Sequence, residues 1–171
     1  INELSEEEKG TISIAILPND YMQGYEKFLA LKQRVQEYID KKAPLSLVNN
    51  NKIKIFETMY AEISVSVDVV ASDYNNYQKT YQEVYSRLKQ FLDPISGNFD
   101  SKGWQIGKLP RKELIYNYIK MTPNVKWIKN INLFTKIITK NGKREVDFDE
   151  VKNQKFAVPV FGEPEINISV E

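Results

Sequence analysis

The chain opens its regular patterning at residues 11–17 (TISIAIL), where Ile12, Ile14 and Ile16 alternate with polar or small residues. That period of two predicts a half-buried strand, stopped by Pro18-Asn19-Asp20. Asp20 with Gln23 three positions on forms a capping box, and Phe28, Leu31, Val35, Tyr38 and Ile39 then recur at helical spacing as far as Lys41-Lys42 and Pro44. Period two returns over 52–71, with Ile53 and Ile55, then Ile63, Val65, Val67 and Val69 alternating with Ser64, Ser66 and Asp68. These residues predict one long bent strand or two, with one buried face. After the N-cap pair Ser72-Asp73, a second amphipathic helix carries Tyr77, Tyr81, Val84, Tyr85, Leu88, Phe91 and Leu92, and Asp93-Pro94 ends it. The order β-α-β(β)-α can close as a ferredoxin-like or split βαβ sheet with both helices on one face.

Residues 94–110 break both periods and gather Gly97, Gly103 and Gly107 between Pro94 and Pro110, the composition of a structured loop. A short helix over 111–120 is predicted to turn Leu114, Ile115, Tyr118 and Ile119 inward, ending at Thr122-Pro123-Asn124. Asn141-Gly142 predicts a tight hairpin between the 131–138 region and Val146-Asp147-Phe148, because both central residues of such a turn need positive φ. Two final strands, around Phe156, Val158 and Val160 and around Ile166, Ile168 and Val170, are predicted with Gly162-Glu163-Pro164 turning between them. The expected fold class is α+β in two small modules. Residues 1–10 form a linker or the end of a preceding helix, 11–93 the first module, and 94–171 a second module of loop, short helix and antiparallel strands.

Composition narrows the chemistry more than the fold. A hydrophobic share of 42% and a charged share of 27% are those of a globular protein, and 24 Lys plus Arg against 23 Asp plus Glu leave +1, too little to gather nucleic acid or an anionic membrane. No apolar stretch nears the roughly 20 residues of a membrane span, so no membrane insertion is expected. Absence of both Cys and His removes the usual zinc ligands, thiol nucleophiles and imidazole acid/base groups. The start at Ile1, in Glu-rich sequence, reads as a cut from a longer polypeptide.

The remaining candidate sites read as plain structure. Gly103-Trp104-Gln105-Ile106-Gly107-Lys108-Leu109 has three residues between glycines where a phosphate loop wants four, and leucine where Mg²⁺ needs a hydroxyl. Asp147, Asp149 and Glu150 fit a solvated strand edge better than a cation site, and Ser5 with Glu8 fits a helix cap. Lys126-Trp127 with Lys129 interleaves charge and ring, but a single tryptophan makes no platform for single strands. Asn167-Ile168-Ser169 matches a glycosylation acceptor within a strand. Tyr74, Tyr77, Tyr81 and Tyr85 crowd onto the second helix and its approach, where tyrosine suits either a core rim or a surface half-buried on assembly.

The stretch FLDPISGNFDSKGWQIGKLPRKELIYNYIKMTPNVKWIKNI is similar to the C-terminal region of the baseplate J-like family, which builds the wedges of contractile phage tails and related injection machines. Leu92, Pro94, Gly97, Gly103-Trp104, Gly107, Leu114 and Val125 stand in the places of that family's helix end, Pro-x-x-Gly turn, Gly-Trp loop, short helix and valine-bearing turn. The upstream GTISIAILP and EISVSVDVV and the closing FAVPVFGEPEINISV resemble its flanking modules, so the likeness spans most of the chain. Gln105-Ile106 departs from the Pro-Phe that often follows the Gly-Trp. The resemblance implies a structural wedge component with no catalytic residue, cofactor or metal. Its partners would be other baseplate wedge subunits and copies of itself, not nucleic acid, in a cytoplasmic assembly or a tail-like particle. Pro94, Gly97, Gly103, Trp104, Gly107 and Tyr74 would be its motif or interface residues. Trp104 is expected to anchor the loop to its own second helix in preference to a partner's pocket. A different class, a ligand- or nucleic-acid-binding ferredoxin-like domain, would require aromatic residues facing solvent on the central strands, and 61–71 contains none.

Overall fold

The computed structural model describes residues 11–21, 25–48, 52–139 and 142–170. The fold is α+β, and the chain divides into two compact units, Ile1–Thr58 and Met59–Glu171. The boundary therefore falls not at residue 94 but after the strand pair's first member, because residues 59–71 share a sheet with the C-terminal strands. The capping box at Gln23 and the pair Ser5 and Glu8 lie outside the described residues.

In the first unit, β1 (Ile12–Ile16) pairs in parallel with β2 (Ile53–Glu57), Ile14 opposite Ile55. The crossover between them contains α1 (Tyr25–Lys42) and the single turn α2 (Leu45–Val48). Helix α1 packs on β2, with Phe28 and Ile55 buried. Ile12, expected inward, is exposed, because a two-stranded sheet with one helix offers little apolar cover.

The second unit is organised by β3 (Met59–Ala71), whose alternation buries Ala61, Ile63, Val65, Val67 and Val69 and leaves Glu62, Ser64, Ser66 and Asp68 half-exposed. Long β4 (Val125–Thr139) runs antiparallel beside it, placing Val65 opposite Leu133 and Val67 opposite Ile131. Register shifts after Asp68 and Val70 put bulges near the far end of this pair. Strand β5 (Gly142–Val146) extends the sheet as a hairpin on β4, with Gly142 at φ +119°. Asn141 lies outside the described residues.

On the other side of β3, β6 (Ala157–Phe161) and β7 (Glu165–Val170) both run parallel to it, end to end, along Met59–Ile63 and Ser66–Ala71. Gly162-Glu163-Pro164 is thus a break in one edge and not a turn. A Cβ at Gly162 would run into the Ser64 hydroxyl oxygen, so glycine lets the chain pass close to β3 while its N–H bonds the Ile63 carbonyl at 2.9 Å. Among the described residues, β1 and β2 form a two-stranded sheet and β3 belongs to a five-stranded one, so the split βαβ sheet expected of 11–93 is not seen.

Two helices cover the buried face. Helix α3 (Tyr77–Phe91) presents Thr80, Val84, Leu88 and Phe91, and α4 (Lys112–Lys120) presents Ile115 and Ile119, against Ile63, Val65, Val67, Val69, Ile128, Ile131 and Ile166. Each of these aliphatic side chains contributes roughly 1.5–3 kcal/mol of burial. Leu114, expected inward, is exposed because Ile115 and Ile119 are the buried residues of this short helix, with Tyr116 and Tyr118 packed partly buried beside them. A satellite cluster of Ala61, Ile137, Val151 and Ala157 seats α5 (Phe148–Val151) at the other end of the same face.

Candidate functional site

Of the residues quoted for the family resemblance, Leu92, Pro94, Gly97, Gly103 and Trp104 come together at the C-terminal end of α3, whereas Leu114 is exposed on α4 and Val125 pairs with Ala71. Asp93 follows the helix and organises the turn, its Oδ1 accepting from the Ile95 N–H at 2.9 Å, the Ser96 N–H at 2.7 Å and the Ser96 hydroxyl at 3.0 Å. Buried Pro94 starts that turn. Gly97 closes it by donating to the Asp93 carbonyl at 2.9 Å, and a Cβ there would collide with the carbonyl oxygens of Phe91 and Asp93. Asn98 then takes a left-handed φ of 67° and donates to the Phe91 carbonyl at 3.1 Å, ending the helix in the manner of a left-handed C-cap.

The chain returns to the same place six residues later. Gly103, at φ +82°, donates to the Gly97 carbonyl at 3.1 Å, and a Cβ on it would strike the carbonyls of Pro94 and Ile95. That close approach fixes Trp104, whose backbone N–H bonds the Pro94 carbonyl at 2.9 Å and whose Nε1–H bonds the Phe91 carbonyl at 2.7 Å. Its ring is 9% exposed and meets Phe91 edge-on, centroids 5.3 Å apart. Trp104 is therefore an anchor to its own second helix. Farther on, Gly107 at φ +86° donates to the Ala157 carbonyl at 2.8 Å, tying the loop to the start of β6. The loop thus stitches a helix end to a sheet edge.

Three further side chains belong to this corner. Tyr118 of α4 stacks on Phe91 at 4.3 Å, Phe99 packs edge-on against both at 5.1 and 5.6 Å, and the Arg87 guanidinium lies 4.6 Å from the Tyr118 ring centre. Arg87 also donates to the Tyr118 carbonyl at 3.4 Å, near the end of α4. Sequence periodicity had no hold on Phe99, which sits in the loop, and placed Tyr118 inward without revealing its partner.

Tyr74 is not part of the corner. It opens a 3₁₀ turn, Tyr74–Asn76, at the opposite end of α3, about 22 Å away for 15 residues at 1.5 Å each, and its side chain lies outside the described residues. Asp73 caps that turn, accepting from the Asn75 N–H at 3.0 Å, while Asn76 occupies the N-cap position of α3. Tyr81 and Tyr85 pack on the core as half-buried rim residues, and Tyr77 is exposed.

The other candidates resolve locally. The amides of Gly103 and Gly107 are spent on protein carbonyls, so this loop offers neither of them to a phosphate. Asp147 is an N-cap and not a strand residue: its Oδ1 accepts from the Asp149 N–H at 2.8 Å and begins α5, because Phe148 and Val151 pack as a helical turn. Among the described residues, no three His, Cys, Asp or Glu side chains are grouped to hold a metal ion, and no helix is long and apolar enough to cross a membrane. Lys126 lies over the Trp127 ring at 4.5 Å, and Asn167 donates to Asp68 at 3.0 Å on the open sheet face.

The anchored corner leaves apolar surface outside it. Phe99 is 47% exposed on the loop and Met121 is 64% exposed at the end of α4, three residues beyond Tyr118, with Ile95 exposed on the turn. No protein-family model matches the chain, and no curated protein matches it.

Proposed function

We propose that this chain is a structural component of the baseplate wedge of a contractile phage tail or a phage-tail-like injection system, acting by assembly with other wedge subunits and with copies of itself. The observation that carries the reading is the Gly-Trp corner. Of the residues quoted for the family resemblance, Gly97, Gly103 and Gly107 stand where an added Cβ would strike backbone carbonyls, and Trp104 is pinned by its backbone and indole N–H groups to the carbonyls of Pro94 and Phe91. A rigid corner bearing exposed Phe99, Ile95 and Met121 suits a subunit whose work is to hold geometry against neighbours. Function then resides in interfaces that hold before sheath contraction and release with it.

The test is to tag the full-length protein, sediment a lysate on a density gradient and image the tagged fractions by electron microscopy. Tag at one end of sheath-and-tube particles supports the reading. Tag confined to the slow fraction, while intact particles are present in the same lysate, refutes it.

A further inference from the structure

The margin of the larger sheet opposite β5 is formed by β6 and β7. The pairing of β7 with β3 runs from Glu165 to Val170 without a register shift. Among the described residues, no strand lies on its other side. Pro159 takes a backbone donor out of β6, and β5 at the far margin carries Lys143 and Arg144, whereas β7 has neither proline nor cation. Its one charged residue, Glu165, accepts from the Ser66 hydroxyl at 3.0 Å. Strand β7 is therefore a regular edge without the features that keep other strands away.

A row of tyrosines overlooks this edge. Tyr85 meets Phe161, at the end of β6, edge-on with centroids 5.4 Å apart, and Tyr81 stacks on Tyr85 at 6.5 Å. Tyr77 lines an open depression of about 420 Å³ with Ile168 and Val170. Helix α3 thus runs back along β7 and β6 with its tyrosine flank toward the margin. Tyr77 is 46% exposed and Val170 37%, so apolar surface stands open between helix and edge. Amphipathic rings beside such an edge suit a surface that becomes half-buried when a further strand arrives. The pattern of β7 selects that strand. Laid antiparallel on a second copy of itself about a two-fold axis at Asn167, β7 sets Ile166 opposite Ile168 on the covered face and Glu165 opposite Ser169 on the open face. Apolar meets apolar, polar meets polar, and no like charges are opposed. The same operation on β5, about its central Arg144, would set arginine against arginine.

We propose that two copies of the chain join edge to edge through β7 into one continuous sheet, with the tyrosine flanks of their α3 helices closing over the junction. The proposal deepens the assembly reading and rests on it only in expecting copies of the chain to meet. Main-chain pairing supplies the affinity, and the side chains of β7 set the register.

The experiment follows the purified, ¹⁵N-labelled 171-residue chain by sedimentation velocity and amide exchange over a concentration series up to about 1 mM. A dimer is expected, with exchange slowed within 165–170 as it forms. Ser169→Glu opposes Glu165 at two symmetric places and is expected to weaken the dimer about tenfold, whereas Ser169→Lys faces the same two carboxylates and is expected to tighten it. Ser169 is exposed, so circular dichroism should show both variants as folded as the unaltered chain. A monomer at about 1 mM, a dimer indifferent to both substitutions, or protection only elsewhere would each overturn the proposal. A monomeric chain whose 165–170 amides are protected instead by a capped valine–threonine peptide would also overturn it, replacing the second copy with another protein's strand. The two readings fail separately, because self-pairing is read on the purified chain and the wedge reading on particles. A monomeric chain found in particles rejects pairing through β7 and leaves the wedge reading intact, whereas absence of the protein from intact particles rejects the wedge reading and leaves a measured dimer standing.

Discussion

Trp104→Ala is expected to destabilise the larger unit by about 3–5 kcal/mol, the range for deleting a buried aromatic ring. The ring is 9% exposed, meets Phe91 edge-on and donates to the Phe91 carbonyl at 2.7 Å. That carbonyl keeps the Asn98 N–H when the indole is removed, so no buried acceptor is orphaned and the hydrogen bond accounts for only about 1 kcal/mol. The remainder is lost apolar burial and the cavity between α3 and the loop. Trp104→Phe retains most of the ring contact and loses the bond, so about 1–2 kcal/mol is expected. The chain has two tryptophans, which leaves Trp127 on β4 as the only indole in both variants and a reporter confined to the larger unit. Urea unfolding followed by its fluorescence measures both differences. A loss below about 1 kcal/mol for Trp104→Ala would refute the anchor. Equal losses for the two variants would show that the bond, and not the ring, carries the energy.

Other expected outcomes follow from the same structure. Gly103→Ala forces a side chain into a left-handed backbone already touching the Pro94 and Ile95 carbonyls, and should lower stability in the same urea assay by about 2–4 kcal/mol. Asp147→Ala removes the cap of α5 and should lower stability by about 0.5–2 kcal/mol, with Asp147→Asn largely restoring it. Thr80→Val replaces a buried hydroxyl that has no hydrogen-bond partner among the described residues with a methyl of the same shape, so thermal unfolding should show a change of about zero to 1 kcal/mol in the stabilising direction. Phe134→Ala, at a ring 58% exposed, should leave the unfolding midpoint within about 0.5 kcal/mol of the unaltered chain.

Patterns confined to one element were legible in the sequence, and pairings between distant segments were not. The stripe Val84, Leu88 and Phe91 identified the buried face of α3 because a helix sets its own period. The glycines of the loop could be read as a backbone constraint before any partner was known, since only tight paths gather three of them beside two prolines. Alternation along β3 fixed which face is buried but not which strand lies beside it, as a period of two says nothing of neighbours. The module boundary was therefore misplaced at residue 94, and β6 with β7 was read as two strands joined by a turn when both follow β3 in parallel. Asp147 was misread for a related reason. A short acidic stretch after a strand looks the same whether it continues the edge or caps a helix, and Val151 seated on Ala61 and Ile137 decides between them. Tyr74 entered the site by its company in sequence alone, and the length of α3 separates it from Trp104.

The open face of the larger sheet bears on the choice between assembly and nucleic-acid binding. Sequence inspection of residues 61–71 found no outward aromatic, yet the neighbouring strand supplies one, for Phe134 pairs with Ser64 and projects from the same face. Its surroundings set its use. It lines a shallow depression with Ser64, Ser66, Lys136, Glu145, Glu163 and Glu165, and Glu62 stands next along β3, engaged by Lys143. A base stacked on Phe134 would bring its phosphates among these carboxylates, and stacking of roughly 1–3 kcal/mol per base would be opposed by that repulsion. A protein partner faces no such conflict. On the assembly reading proposed above, a partner that offered an apolar socket edged with basic side chains would suit this exposed ring and its charged rim.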